Sequence, residues 1–146
     1  MIEQRRLTKE EFERLIEEAP ETEKRNFLEF LDDELSPYDY FDKFAIEQSG
    51  VIADGRPLYV AALIPNFEGK KEFWTVANSN IKNYFSLCKI AKHTLKDWVE
   101  KHGDIYATME KVSERNMAWT EWLGFQMSMD SDNVITYVIK RSKVNA

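Results

Sequence analysis

Cysteine, histidine, glycine and proline are all scarce in this chain of 146 residues. A single cysteine, Cys88, excludes an internal disulfide framework and any zinc site built on cysteines. Two histidines, His93 and His102, are too few for a histidine-rich centre, and no metal is expected. Five glycines and four prolines leave no flexible linker between separate parts. No run of about 18 apolar residues offers a membrane span, and the opening MIEQRRLTKEEF lacks the apolar stretch of a signal peptide. An excess of basic charge is missing too. Acidic side chains outnumber basic ones 26 to 20, which argues against a partner held through its phosphate backbone, whether nucleic acid or anionic membrane. The expectation is a soluble, cytoplasmic protein.

What the chain does have is enough apolar material for a core. Hydrophobic residues make up 43%, and the length suits a single domain over residues 1–146. Charge is unevenly spread: residues 1–49 carry 15 acidic and 7 basic side chains, the remainder 11 and 13. Two readings stay open for the acidic part, a solvated helical face or a flap that selects a cationic substrate or partner.

Met1–Arg6 suits an edge strand. Thr8 and Glu11 form a capping box, and Phe12, Leu15 and Ile16 make the apolar stripe of the helix it opens, which Pro20 ends. A second helix is expected from Phe27, Leu28, Phe30, Leu31 and Leu35, ending before Pro37. The aromatic and acidic segment from Tyr38 to Asp42 has no assignment. From Phe44 the pattern turns to strand, broken at Asp54-Gly55, a strong hairpin signal. Leu58–Ile64 is almost wholly apolar and reads as a central strand buried on both faces. Glu72–Ala77 is the next strand. A long amphipathic helix follows, with Tyr84, Leu87, Cys88, Ala91, Leu95, Trp98 and Val99 on one side and Gly103 as its stop. Ile105–Met109 is a strand, Asn116–Leu123 a helix, and Phe125–Met129 and Val134–Ile139 a closing hairpin.

The order β-α-α-β-β-β-α-β-α-β-β predicts an α+β fold with one mixed, mostly antiparallel sheet flanked by helices. Its single parallel strand pair is 72–77 with 105–109, since only these two are joined by a helix long enough for a crossover. Such strands can splay at their C-terminal ends and expose backbone groups beside a helix N-terminus, whose amides attract anions. An extended ligand with an amide-bearing arm and a diphosphate would fit there. Coenzyme A has that shape.

With this order of elements, and with IYATMEKVSERNMAWTEWLGF at Ile105–Phe125, the chain resembles the GNAT acyltransferases over nearly its whole length. Within that superfamily it is most similar to small GNAT-like proteins of tailed bacteriophages. They share the Trp-containing third strand, the aromatic helix before Gly-Phe and a last strand ending in Lys or Arg. The resemblance implies a GNAT-like sheet and an N-acyltransferase that moves an acetyl group from acetyl-CoA to a primary amine, on a small molecule or a protein lysine. Its alternative is a catalytically inactive phage protein that acts in virion assembly or binds a host protein. Location then follows: the host cytoplasm, or the virion.

Carried onto this chain, the resemblance places the pantetheine arm on the backbone of Val76, Ala77 and Asn78. The diphosphate falls at the helix start around Ser86 and Lys89. The family's glycine-rich diphosphate loop corresponds to Asn78–Ser86, which has no glycine; Lys82, Lys89 and Lys92 could supply charge or be solvated side chains. Counting back from Gly124, the family's helix Asn and its thiolate-protonating Tyr fall on Ser113 and Thr120. Anchoring on Asn116 and Ala118 instead puts Trp122 near the tyrosine position. On either count no general acid is assigned, and the catalytic residues stay unknown. Glu72, Glu110 and Glu114 lie near strand ends as general-base candidates or plain surface carboxylates. Tyr38, Tyr40, Phe41 and Phe44 either cover a site or pack against the acidic helices. Cys88 reads as a buried small hydrophobe, and both histidines as surface residues. The four tryptophans read as core or groove-lining residues.

Overall fold

Thr8 caps the first helix as its spacing with Glu11 requires: its hydroxyl accepts from the Glu11 N–H at 3.2 Å, and the Glu11 carboxylate accepts from the Thr8 N–H at 2.9 Å. This helix, α1 (Lys9–Glu18), follows the strand β1 (Ile2–Arg5) in a computed structural model. The structure describes residues 2–21, 24, 35–66, 68–78, 84–110 and 114–141. The helix expected through Phe27, Leu28, Phe30 and Leu31 lies outside them. Seven strands hydrogen-bond in the order β1-β2-β3-β4-β5-β7-β6, antiparallel except for one parallel pair, β4 with β5. The chain divides into two compact units, residues 1–64 with 74–87, and residues 65–73 with 88–146.

In the first unit, the unassigned aromatic segment is a helix, α2 (Pro37–Phe44). Its signal was present: the Ser36 hydroxyl accepts from the Asp39 N–H, and Pro37 occupies the first helical position, where a missing N–H costs nothing. Phe44 therefore ends a helix instead of starting a strand, and β2 (Glu47–Ala53) begins three residues later. Beyond it, Asp54 and Gly55 both take positive φ, 52° and 79°, the left-handed pair that a tight two-residue hairpin demands. The hairpin returns as β3 (Arg56–Pro65), buried without interruption from Pro57 to Ile64, as its apolar run predicts. The core joins Phe12, Leu15 and Ile16 of α1 to Phe41 of α2 and to Val60, Ala62 and Ile64 of β3. Phe12 meets the edges of Tyr38 and Phe41 at ring separations of 5.8 and 5.0 Å, contacts worth about 0.5–1.5 kcal/mol each beyond the area they bury.

The second unit is built on a strand-helix-strand passage. Its strand is the first part of β4 (Lys71–Ala77), its helix is α3 (Tyr84–His102) from Cys88 onward, and its return strand is β5 (Ile105–Glu110). Gly103, at φ 91°, takes the left-handed turn that stops α3. Phe73 meets Trp98 of α3 at 5.9 Å and Phe125 at 6.1 Å. The helix α4 (Glu114–Trp122) leads into β6 (Gln126–Asp130) and β7 (Val134–Ile139). Ile105 and Ala107 face Ile139 and Tyr137 across the β5–β7 ladder, all four buried. The strand β6 is the sheet's edge, exposed along its whole length, with a bulge between Met127 and Met129.

Two predictions follow from this packing. A Cβ on Gly50 would lie 2.4 Å from Leu7 Cδ2 and 2.9 Å from the Arg5 carbonyl oxygen. Gly50→Ala should cost about 1–3 kcal/mol in urea unfolding. Adding Leu7→Ala should cost less than the two single changes together, because the removed side chain makes room. The second concerns Glu11, whose carboxylate takes both ends of the Arg5 guanidinium at 2.8 Å. That hydrogen bond, joined by those from Thr8, outweighs the opposing effect of burial and holds the carboxyl at about 2 instead of 4.5. A lowered folded value stabilises above the unfolded one, so this contribution is complete above pH 4.5 and fades as pH falls toward 2. Melting temperature against pH should drop less steeply over that window in Glu11→Gln.

Candidate active site

In the parallel pair, Lys71 pairs with Ile105 and Glu72 with Tyr106, at the N-terminal ends of both strands. On its other side β5 stays in register with β7 through Glu110. Glu72 is half-buried and accepts a hydrogen bond from the Thr108 hydroxyl at 3.2 Å. The Lys70 ammonium lies 5.0 Å from the centre of the Tyr106 ring and 3.2 Å from the Glu68 carboxylate. Glu72 and Thr108 put a carboxylate next to a hydroxyl, a pair able to orient and deprotonate an amine through water.

Where β4 ends, Val76 is buried, Ala77 half-buried, and Asn78 only 3% exposed. A buried amide needs partners. The Asn78 N–H donates to the Leu58 carbonyl at 2.8 Å, and its Nδ2 donates to Glu18 Oε2 at the end of α1. Glu18 also receives Arg14 Nε on its other oxygen at 3.3 Å and Arg56 on the same oxygen at 3.3 and 3.4 Å. Desolvation pushes this carboxyl upward, but the hydrogen bonds and charges of Arg14 and Arg56 overcome it and leave it below the ordinary carboxylate value.

The helix α3 carries no acidic residue in its first turn and Lys101 and His102 in its last, the distribution that leaves a helix start attractive to anions. Ser86 and Lys89 are exposed near that start, while Leu87 and Cys88 are buried. Val76, Ala77, Asn78 and Ser86 belong to the first unit and Lys89 to the second; Ser113 and Lys82 lie outside the described residues. The side chains of Glu110 and Glu114 are likewise outside them. Lys92 sits 4.6 Å from the Trp122 ring centre, so its charge is turned toward an aromatic face.

Thr120 is 4% exposed, and its hydroxyl lies 3.8 Å from the Met109 sulfur. Trp119 donates its indole N–H to the Cys88 sulfur at 3.3 Å. Trp98 is core, Trp74 packs against the first unit's core beside Phe41, and Trp122 stands 45% exposed. His93 has a carboxylate one turn on, Asp97 at 3.5 Å, a pair the i,i+4 spacing could have disclosed. The Glu18–Asn78 contact, by contrast, joins residues 60 apart and has no local signal. Among the described residues no group of three His, Cys, Asp or Glu side chains could hold a metal ion, and no helix is long and apolar enough to cross a membrane.

The architecture is that of the GNAT acetyltransferases. A GNAT-family acetyltransferase from Bacillus anthracis superposes with a TM-score of 0.70 at 16% identity, over 97% of this chain and 95% of that one. The PaiA N-acetyltransferase from Thermoplasma acidophilum, in complex with coenzyme A, gives 0.65 at 18% identity over 96% and 99%. Spermidine N-acetyltransferase from Vibrio cholerae, in complex with CoA and spermine, gives 0.68 at 14% identity over 99% and 98%. No family model and no curated protein sequence matches the chain. The likeness therefore lies in the fold.

The buried Cys88 yields a check on this region. In the folded protein it should react with a thiol reagent only slowly, and in denaturant at once and completely. Trp119→Phe, which removes the N–H donated to sulfur, should accelerate the native reaction without making it as fast as in denaturant.

Proposed function

We propose that the protein is an N-acyltransferase that moves an acetyl group from acetyl-CoA to a primary amine. The observation that carries this reading is the β4-α3-β5 passage, a parallel strand pair joined through a helix. Fold alone does not assign activity, so the residues must suit the ligand. Exposed Ser86 and Lys89, near a helix start free of acidic side chains, support an anionic diphosphate there. The backbone of Val76–Asn78 is the strand end on which an amide-bearing arm would lie.

Acetyl-CoA, when bound, supplies a thioester carbonyl open to attack by an amine. The chain's own part is to hold and orient. The Glu72 carboxylate, fixed by Thr108, draws a proton from the incoming ammonium through water. Confinement of the amine beside the strand end supplies most of the remaining rate through positioning. The acidic excess of residues 1–49 favours a cationic acceptor, a polyamine or a protein lysine, in a cytoplasmic setting. The Vibrio cholerae protein, with CoA and spermine bound, supports that acceptor class.

A second reading is an inactive member of the same fold, a phage protein that serves in virion assembly or binds a host protein. It is favoured by Thr120, buried against Met109 where the resemblance expects a phenol, and by the missing glycines between Asn78 and Ser86. Calorimetry separates the two. Acetyl-CoA should bind with one site per chain, and adding spermidine or a lysine peptide should release free thiol. Absence of heat at millimolar acetyl-CoA would overturn the enzyme reading, and binding without thiol release would leave only a coenzyme-binding protein.

A further inference from the structure

We infer that Glu18 is a positioning residue for the coenzyme arm, holding the end of β4 in place through the Asn78 amide. The inference rests on the acetyl-CoA reading above. Asn78 is a buried polar residue in a strand end that must present its backbone in one direction. It is held at two points, its N–H by the Leu58 carbonyl and its Nδ2 by Glu18. Glu18 in turn is tied to its own helix by Arg14 and to the first residue of β3 by Arg56. One carboxylate thereby joins the end of α1, the start of β3 and the end of β4.

One physical consequence follows. A backbone amide or carbonyl recognises an extended ligand only if its direction is set beforehand, and a side-chain bond at Asn78, the residue after β4, sets it.

The test compares the whole protein with Glu18→Ala, Glu18→Gln and Arg14→Ala, measuring the acetyl-CoA Kd by calorimetry, KM and kcat by thiol release, and Tm. Glu18→Ala should raise Kd and KM by about tenfold with kcat little changed. Glu18→Gln, which keeps an oxygen for Asn78 Nδ2, should restore most of that affinity. Arg14→Ala should lower Tm while Kd stays as in the parent. If Glu18→Ala fails to fold, Asn78→Ala removes the same bond from the other side and should show the same rise. Equal affinity in the parent and the folded variants, or a matching loss in Arg14→Ala, would overturn the positioning role alone. A parent protein that binds no acetyl-CoA would overturn the coenzyme reading and this inference with it.

Discussion

Two parallel strands cannot be joined by a turn, so pairing Lys71 with Ile105 and Glu72 with Tyr106 obliges the chain to run through a whole helix between them. That helix is α3, and its obligations shape much of the second unit. It must bury Ala91, Leu95, Trp98 and Val99, stop at Gly103, and deliver the chain to β5 in the right direction. It also brings an amide-rich helix start after the end of β4, the arrangement on which the coenzyme reading stands.

The charges in the first unit are organised by a different rule. Arg5 with Glu11, and Arg14 and Arg56 with Glu18, put carboxylates of α1 against cations drawn from β1, α1 and β3. Exposed pairs of this kind contribute little each, and both sets are partly open to solvent. What distinguishes Glu18 is the extra neutral donor: it also accepts from the amide of a buried Asn78, so its geometry matters more than its Coulomb energy.

The architecture was legible in the sequence because its signals are local and periodic. The Thr8–Glu11 box, the Asp54-Gly55 turn, the apolar run through Ile64 and the stripe of α3 each announce an element within a few residues. The helix over Pro37–Phe44 escaped because its aromatic and acidic residues mask the stripe, although Ser36-Pro37 marks its start. The site was legible only in outline. The strand end and helix start proposed for the coenzyme come from the order of elements, but Thr108 beside Glu72 and Asn78 beside Glu18 are meetings across 36 and 60 residues. No spacing rule encodes them. Trp122, read as core or groove lining, stands 45% exposed under the Lys92 ammonium, so of the two it is not core.

The bulge between Met127 and Met129 has a consequence for how the molecule behaves in a crowd. β6 ends the sheet, and its two methionines are 56% and 65% exposed, which on a regular edge would invite another strand to add. One extra residue breaks the even spacing of donors and acceptors along that border and twists it locally. A second ribbon laid against it meets its partners only for part of its course, so this apolar margin is a poorer template for strand addition than an even one.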